Sequence, residues 1–369
     1  MSGKKWPTWL PLRQDLQPLS PYGAPQVPAE ATLNTNENPY APSPALAQAI
    51  ADRAHQVALN LNRYPDRDAV VLRKALANFI NNLSGTSINF DQVWAANGSN
   101  EIIQSLFMAF GDRPALGFTP SYSMHPLIAK VTGVNWRDGG RRADFSLDTE
   151  KALQEIADVK PSLTFITTPN NPTGTTVTLD EISKLADAAA KINGLLIVDE
   201  AYAEFSDLPS AITLIAKYPN LIVIRTMSKA FAFAGARLGY LVADPEIVSA
   251  MFLVRLPYHL SALTQAAAEV ALDFQEELLG TVSSLIASRK IVVKQLEEMG
   301  LQVIPSQANF ILFSGFSQEP AELWRKLLDR GVLIRDVGLL AHLRMTIGNE
   351  AENKKFIAAL QEILNGESQ

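Results

Sequence analysis

The chain has 369 residues, 47% hydrophobic and 19% charged, enough to bury one large domain and a smaller one. Its formal net charge of −6, with signs interleaved, lacks the basic stripe of a nucleic-acid binder. Without cysteine, disulfides, thiolate nucleophiles and cysteine-held metals are excluded, and only four histidines (His55, His125, His259, His342) argue against a histidine-rich metal site.

At the N-terminus, Trp-Pro and Leu-Pro interrupt the apolar residues, so no unbroken signal-peptide core forms. No run approaches the roughly 20 apolar residues that span a bilayer, and the expected location is the cytoplasm. Residues 1–45, rich in Pro, Asn and polar groups, read as an extended arm with little structure of its own, packing on the C-terminal domain or a partner subunit. A helix is expected from Ser43-Pro44, with Ser as cap and Pro in the first turn. Residues 46–260 then form the expected large domain. Its apolar runs are Val93–Ala95, Ala115–Phe118, Leu163–Thr167, Leu195–Val198, Leu221–Arg225 and Leu238–Val242, with helical patterns such as Ile102–Phe110 and Leu179–Ile192 between them. Thr178 and Glu181 make a capping box for the second of these. Such alternation implies an α/β fold with a mostly parallel sheet covered on both faces. Residues 261–369 read as a smaller α+β domain: one long helical stretch from Ser261 to Gly300, strands at Phe310–Phe313, Val332–Arg335 and Leu343–Ile347, a helix over Pro320–Arg330, and a last helix from Asn349 boxed by Glu352.

Four segments carry chemistry, each at the end of an expected strand, where open α/β sheets bind ligands. Asn97-Gly98-Ser99-Asn100-Glu101 is either a capped turn or a helix start that offers N–H groups to an anion. Thr168 to Gly174 (TPNNPTG) is a stiff turn that serves as a connector or fixes Asn171 as an amide donor. Asp199, straight after an apolar strand, needs a cation; a protonated ring nitrogen or a metal would serve, and Tyr202 reaches the same ligand. No phosphate-binding P-loop accompanies it, which weakens the nucleotide reading. Lys229 follows a strand among apolar and hydroxyl residues, where desolvation lowers an amine toward imine chemistry. Thr226, Ser228 and Arg237 beside it suit a phosphate.

In this order the four segments resemble the fold-type-I pyridoxal 5′-phosphate (PLP) aminotransferases over residues 30 to 365. Within them the segments LNTNENP (33–39), RYPD (63–66), TPSYSM (119–124), NNPTG (170–174), SKAF (228–231) and LRMTIG (343–348) are similar to the histidinol-phosphate aminotransferase family. The resemblance implies a large domain with a seven-stranded sheet sandwiched by helices, and PLP held on Lys229. It implies that Asp199 meets the ring nitrogen, Asn171 and Tyr202 the phenolic oxygen, and Tyr122 the ring face. Ser99, Asn100, Thr226, Ser228 and Arg237 would surround the phosphate, joined by Tyr64 from a second subunit of a homodimer. Arg335, Arg344 and Asn38 would bind substrate, an amino donor and a 2-oxo acid in turn, and no metal is implied. The short, apolar connection Asp336–His342 departs from many relatives and suggests an aromatic or aliphatic donor. An aromatic amino-acid aminotransferase and a PLP-dependent threonine-phosphate decarboxylase share these motifs. A non-catalytic regulatory domain of this type finds no support, since no basic helix-turn-helix segment precedes residue 45.

Overall fold

The computed structural model describes residues 5–366, so the first four residues of the expected arm and the last three of the C-terminal part lie outside the described residues. Seven strands form the central sheet in the order Val93–Ala96, Gly239–Val242, Leu221–Thr226, Leu195–Asp199, Leu163–Thr167, Ala115–Gly117, Trp136–Asp138. Gly239–Val242 runs antiparallel to both neighbours and every other pairing is parallel. Leu163–Thr167 and Leu221–Thr226 are buried at every residue, because helices cover both faces and leave no solvated side to favour polar alternation. Alternate side chains feed two cores. Ile166, Val198 and Val223 pack with Leu72, Leu76, Ile182 and Leu185, while Phe165, Ile197 and Ile222 pack with Ile103, Phe107 and Met251.

Several sequence expectations are refined by the structure. The apolar runs mark six strands of the large sheet; the seventh, Trp136–Asp138, is an edge strand with exposed Arg137 and Asp138 and so has no apolar run. The arm is not without structure: Ala31–Thr32 pairs in parallel with Val332–Leu333, binding the arm to the C-terminal region. The helical stretch from Ser261 is two helices, Ala262–Asp273 and Gln275–Glu298, broken at Phe274 (φ −101°, ψ 20°). The first packs on helices Pro44–Ala58 and Val70–Ser84; the second packs on the C-terminal sheet.

That C-terminal sheet is antiparallel, in the order Leu343–Thr346, Phe310–Ser314, Gln302–Val303, with helices Pro320–Leu328 and Glu350–Gly366. The expected strand Val332–Arg335 is shorter, and Arg335 instead forms an isolated bridge to Arg344. Both capping boxes are present, at Thr178–Glu181 and Asn349–Glu352. No described helix is long and apolar enough to cross a membrane.

Candidate active site

The carboxyl ends of the parallel strands meet in a cavity of about 420 Å³, closed from the opposite side by residues 34–37, Arg335 and Arg344. Asp199 ends strand Leu195–Asp199 on the cavity floor, 2% exposed. Its Oδ2 lies 3.1 Å from Nε2 of His125, itself 1% exposed, and its Oδ1 accepts the Ala201 N–H at 3.1 Å. The His125 ring is wedged edge-on to Tyr122 and against Phe165. Sequence reasoning required a partner for a buried carboxylate but overlooked this one. The only signal was a histidine in the mostly apolar first turns of helix Met124–Thr132, costly to bury unless bonded.

The Tyr202 hydroxyl accepts hydrogen bonds from Asn36 Nδ2 (2.9 Å) and Asn171 Nδ2 (3.3 Å). Burial pushes this phenol up to about 12, so it stays protonated. Lys229 lies three residues beyond strand Leu221–Thr226, half-buried, its amine turned inward onto the Thr35 carbonyl at 2.9 Å. Desolvation of that amine, reinforced by Arg344 and Arg237 and opposed by Glu37, lowers it to about 8.

An anion cradle forms at the start of helix Ser99–Phe110. Gly98 (φ 83°) provides no side-chain cap, which leaves the first-turn N–H groups of Ser99 and Asn100 for a ligand. Ser228 Oγ accepts from Arg237 Nη1 (3.4 Å) and from Thr226 Oγ1 (3.0 Å). Two glycines keep the cradle open: a Cβ on Gly98 would stand 2.6 Å from Arg237 Nη2, and one on Gly239 2.5 Å from the Ser99 nitrogen. Tyr122 is anchored beside it through Asn100 Oδ1 at 3.1 Å.

On the opposite wall, Arg344 donates to Asn171 Oδ1 (2.6 Å) and to the Asn34 carbonyl (2.7 Å), while its buried Nε has no partner. Burial lowers its guanidinium to about 10. Arg335, half-buried, also lines the cavity and exchanges backbone hydrogen bonds with Arg344, both at 2.9 Å. Of the apolar connection after Arg335, Val337 reaches the cavity but Leu340 is 88% exposed, so most of its apolar character faces away from the site.

Of the expected residues, Asn38 is not brought in, and Tyr64, expected from a second subunit, lies outside the cavity of its own chain. Tyr64 is exposed and stacks on Tyr258 (centroids 4.4 Å apart), outside the cavity. Asn38 bonds Thr281 Oγ1 (2.9 Å) and the Tyr40 N–H (3.0 Å), and does not line it either. Conversely, Asn34, Thr35, Asn36 and Tyr22 of the arm do line it.

A desolvated amine and a buried carboxylate lining one cavity, together with an anion cradle and a guanidinium carrying an orphaned N–H, define a PLP-binding transferase site. PLP offers a phosphate, a ring nitrogen, a phenolic oxygen and an aldehyde, and the cradle, Asp199, the Tyr202–Asn171 pair and Lys229 match these in kind. The chain belongs to the class I and II aminotransferases, whose family model matches residues 30–360, and it is a PLP-dependent enzyme. It is 54% identical over 357 residues to the histidinol-phosphate aminotransferase of Mycobacterium marinum, covering 96% of this chain and 92% of that one. The corresponding protein of Mycolicibacterium smegmatis is 53% identical over 363 residues (98% and 95%). Among solved structures, the histidinol-phosphate aminotransferase from Sinorhizobium meliloti in complex with pyridoxal-5′-phosphate matches with a TM-score of 0.84 at 25% identity, covering 97% of this chain and 98% of that one.

Proposed function

We propose that this enzyme transfers the amino group of histidinol phosphate to a 2-oxo acid, 2-oxoglutarate in the first instance, in histidine biosynthesis. The observation that carries the transaminase reading is Lys229, whose amine sits inside the cavity and is lowered to about 8. A lysine poised there serves both as the attachment point and as a proton carrier at neutral pH. Relatives more than 50% identical bear the histidinol-phosphate name, which supports this donor over an aromatic one. The Arg344 Nε without a partner suits its phosphate.

When bound, PLP supplies an electron sink for the charge left as Cα of the donor loses its proton. Asp199, held by His125, keeps a proton on the ring nitrogen. Lys229, as the free amine, would accept the proton that the donor Cα loses and carry it within the site. Asn171 and Tyr202 donate to the phenolic oxygen, and Tyr122 covers the ring. Ser99, Asn100, Thr226, Ser228 and Arg237 hold the cofactor phosphate. Arg344 and Arg335 grip the phosphate of the donor, then a carboxylate of the acceptor, since a guanidinium pairs with either oxyanion.

The enzyme works as a homodimer, with Tyr64 of the partner subunit reaching the cofactor phosphate. Support comes from the exposure of Tyr64, stacked on Tyr258, and of large apolar side chains such as Leu59, Leu253 and Leu256 (73%, 85% and 74% exposed), which a partner subunit would cover. It acts in the cytoplasm, as a biosynthetic enzyme without a membrane-crossing helix among its described residues. The test mixes the purified holoenzyme with histidinol phosphate, phenylalanine, aspartate and threonine phosphate in turn. Histidinol phosphate is expected to bleach the cofactor absorbance fastest and to yield glutamate once 2-oxoglutarate is added. Faster bleaching by phenylalanine would overturn the donor, and CO₂ release would overturn the reaction.

A further inference from the structure

Behind the cavity floor lies a charged cluster that the chemistry above does not use. Arg225 donates from Nε to Glu200 Oε2 (2.9 Å), from Nη1 to Glu204 Oε1 (2.7 Å) and from Nη2 to Ser210 Oγ (2.9 Å). Glu200 also accepts from Ser210 Oγ and from the Ala211 N–H, both at 2.7 Å. The side chains of Arg225, Glu200 and Glu204 are each 3% exposed, and none lines the cavity.

Their positions along the chain give the cluster its meaning. Glu200 directly follows Asp199, Glu204 comes two residues after Tyr202, and Arg225 directly precedes Thr226 and the Ser228–Lys229 turn. Side chains alternate between faces along and just past a strand, so Arg225 and Glu200 reach away from the cavity while Thr226 and Asp199 reach into it; Glu204, in the single turn Ala203–Phe205, meets them there. One guanidinium therefore ties together the three segments that carry the floor, the phenol and the lysine. The Glu200 N–H, bonded to the Ile224 carbonyl at 2.9 Å, continues the same join in the backbone.

An ion pair this far from water adds little net stability over an apolar substitute, but a planar fork with fixed donors imposes geometry. Glu204 Oε2 has no partner and burial pushes its carboxyl up, whereas both Glu200 oxygens are hydrogen-bonded.

We propose that Arg225, Glu200 and Glu204 are positioning residues that hold Asp199, Tyr202 and the Ser228–Lys229 turn in register around the cofactor, a reading that rests on the PLP site proposed above. Arg225→Lys and Glu200→Gln are each expected to weaken PLP binding, to lower kcat by about 10²-fold, and to move the pH midpoint of the bound cofactor's absorbance. Glu204→Gln keeps the shape but removes the carboxylate that Arg225 Nη1 meets, and is expected to move all three readouts the same way by a smaller amount; wild-type values there would overturn its place in the cluster. The double variant Arg225→Met/Glu200→Leu removes both charges at similar volume, and should melt no lower than either single variant while keeping their weak PLP binding. Should it fail to fold, Glu200→Asp, which keeps the charge and shortens the reach, gives the same three readouts. Wild-type PLP affinity, kcat and absorbance midpoint in the double variant, or single variants that lose only Tm, would overturn the inference. A wild-type protein that binds no PLP would instead overturn the site itself, so the two failures are distinguishable.

Discussion

His125 Nε2 and Asp199 Oδ2 stand 3.1 Å apart, with both side chains almost wholly removed from water. The imidazole fixes the carboxylate on its inner oxygen, and the Ala201 N–H fixes the other, which leaves Asp199 one orientation toward the cavity. His125→Ala removes one of these restraints at a cost of about 1–3 kcal/mol. The expected result is a half-reaction slowed about 10- to 10²-fold, by that same energy, with PLP still bound. Because the pair acts as a unit, Asp199→Ala/His125→Ala should be no slower than Asp199→Ala alone. Single-turnover absorbance measurements check this; additive losses would contradict it.

Lys229 titrates at about 8 instead of 10.5. Below that pH the ammonium cannot attack an aldehyde, and above it the free amine can. PLP capture by the cofactor-free protein should therefore rise about ten-fold per pH unit up to about pH 8 and then level off. Burial is the main cause and Glu37 opposes it, so Glu37→Gln should move the levelling to lower pH. Stopped-flow mixing across the range decides; a rate still climbing near 10.5 would mean an ordinary lysine.

Gly98→Ala places a methyl 2.6 Å from Arg237 Nη2 on a backbone with φ 83°. The strain is of order 1 kcal/mol, and the displaced guanidinium leaves the phosphate cradle. The expected PLP dissociation constant rises about ten-fold, with kcat near normal once PLP is saturating. Gly235→Ala, with nothing within 4 Å of its added Cβ, is the control and should change neither. Equilibrium dialysis measures both.

Arg344→Lys keeps a charge but loses the fork that spans Asn171 and Asn34 and is proposed to grip the substrate. The expected loss in kcat/KM for histidinol phosphate is about 10²-fold or more, partly in kcat because Asn171 is also released. Arg335→Lys, half-buried, should lose about ten-fold or less, in KM. Steady-state kinetics separate the two.

Much of this site was legible in the chain because its chemistry sits directly after buried strands. Asp199 closes the apolar run Leu195–Val198, and Lys229 and Asn171 come within four residues of the ends of buried strands Leu221–Thr226 and Leu163–Thr167, where their chemistry stands out. What could not be read depends on distant contacts. Asn36 meets Tyr202 across 166 residues and Thr346 across 310, and Arg344 meets Asn34 across 310, with no local pattern to announce any of them. Ala31–Thr32 is too short for periodicity and becomes a strand only through Val332–Leu333. Trp136–Asp138 escaped because an edge strand need not be apolar, and the break at Phe274 because no glycine or proline marks it. Glu200 and Arg225 read as ordinary charged residues until folding buries them against each other.

The central claim is that the amine of residue 229 carries the cofactor. Borohydride reduction of the holoenzyme, followed by digestion and mass mapping, tests it most directly. The expected result is a single pyridoxyl adduct on the peptide containing Lys229, absent from Lys229→Ala. An adduct on another lysine, or none at all, would contradict it.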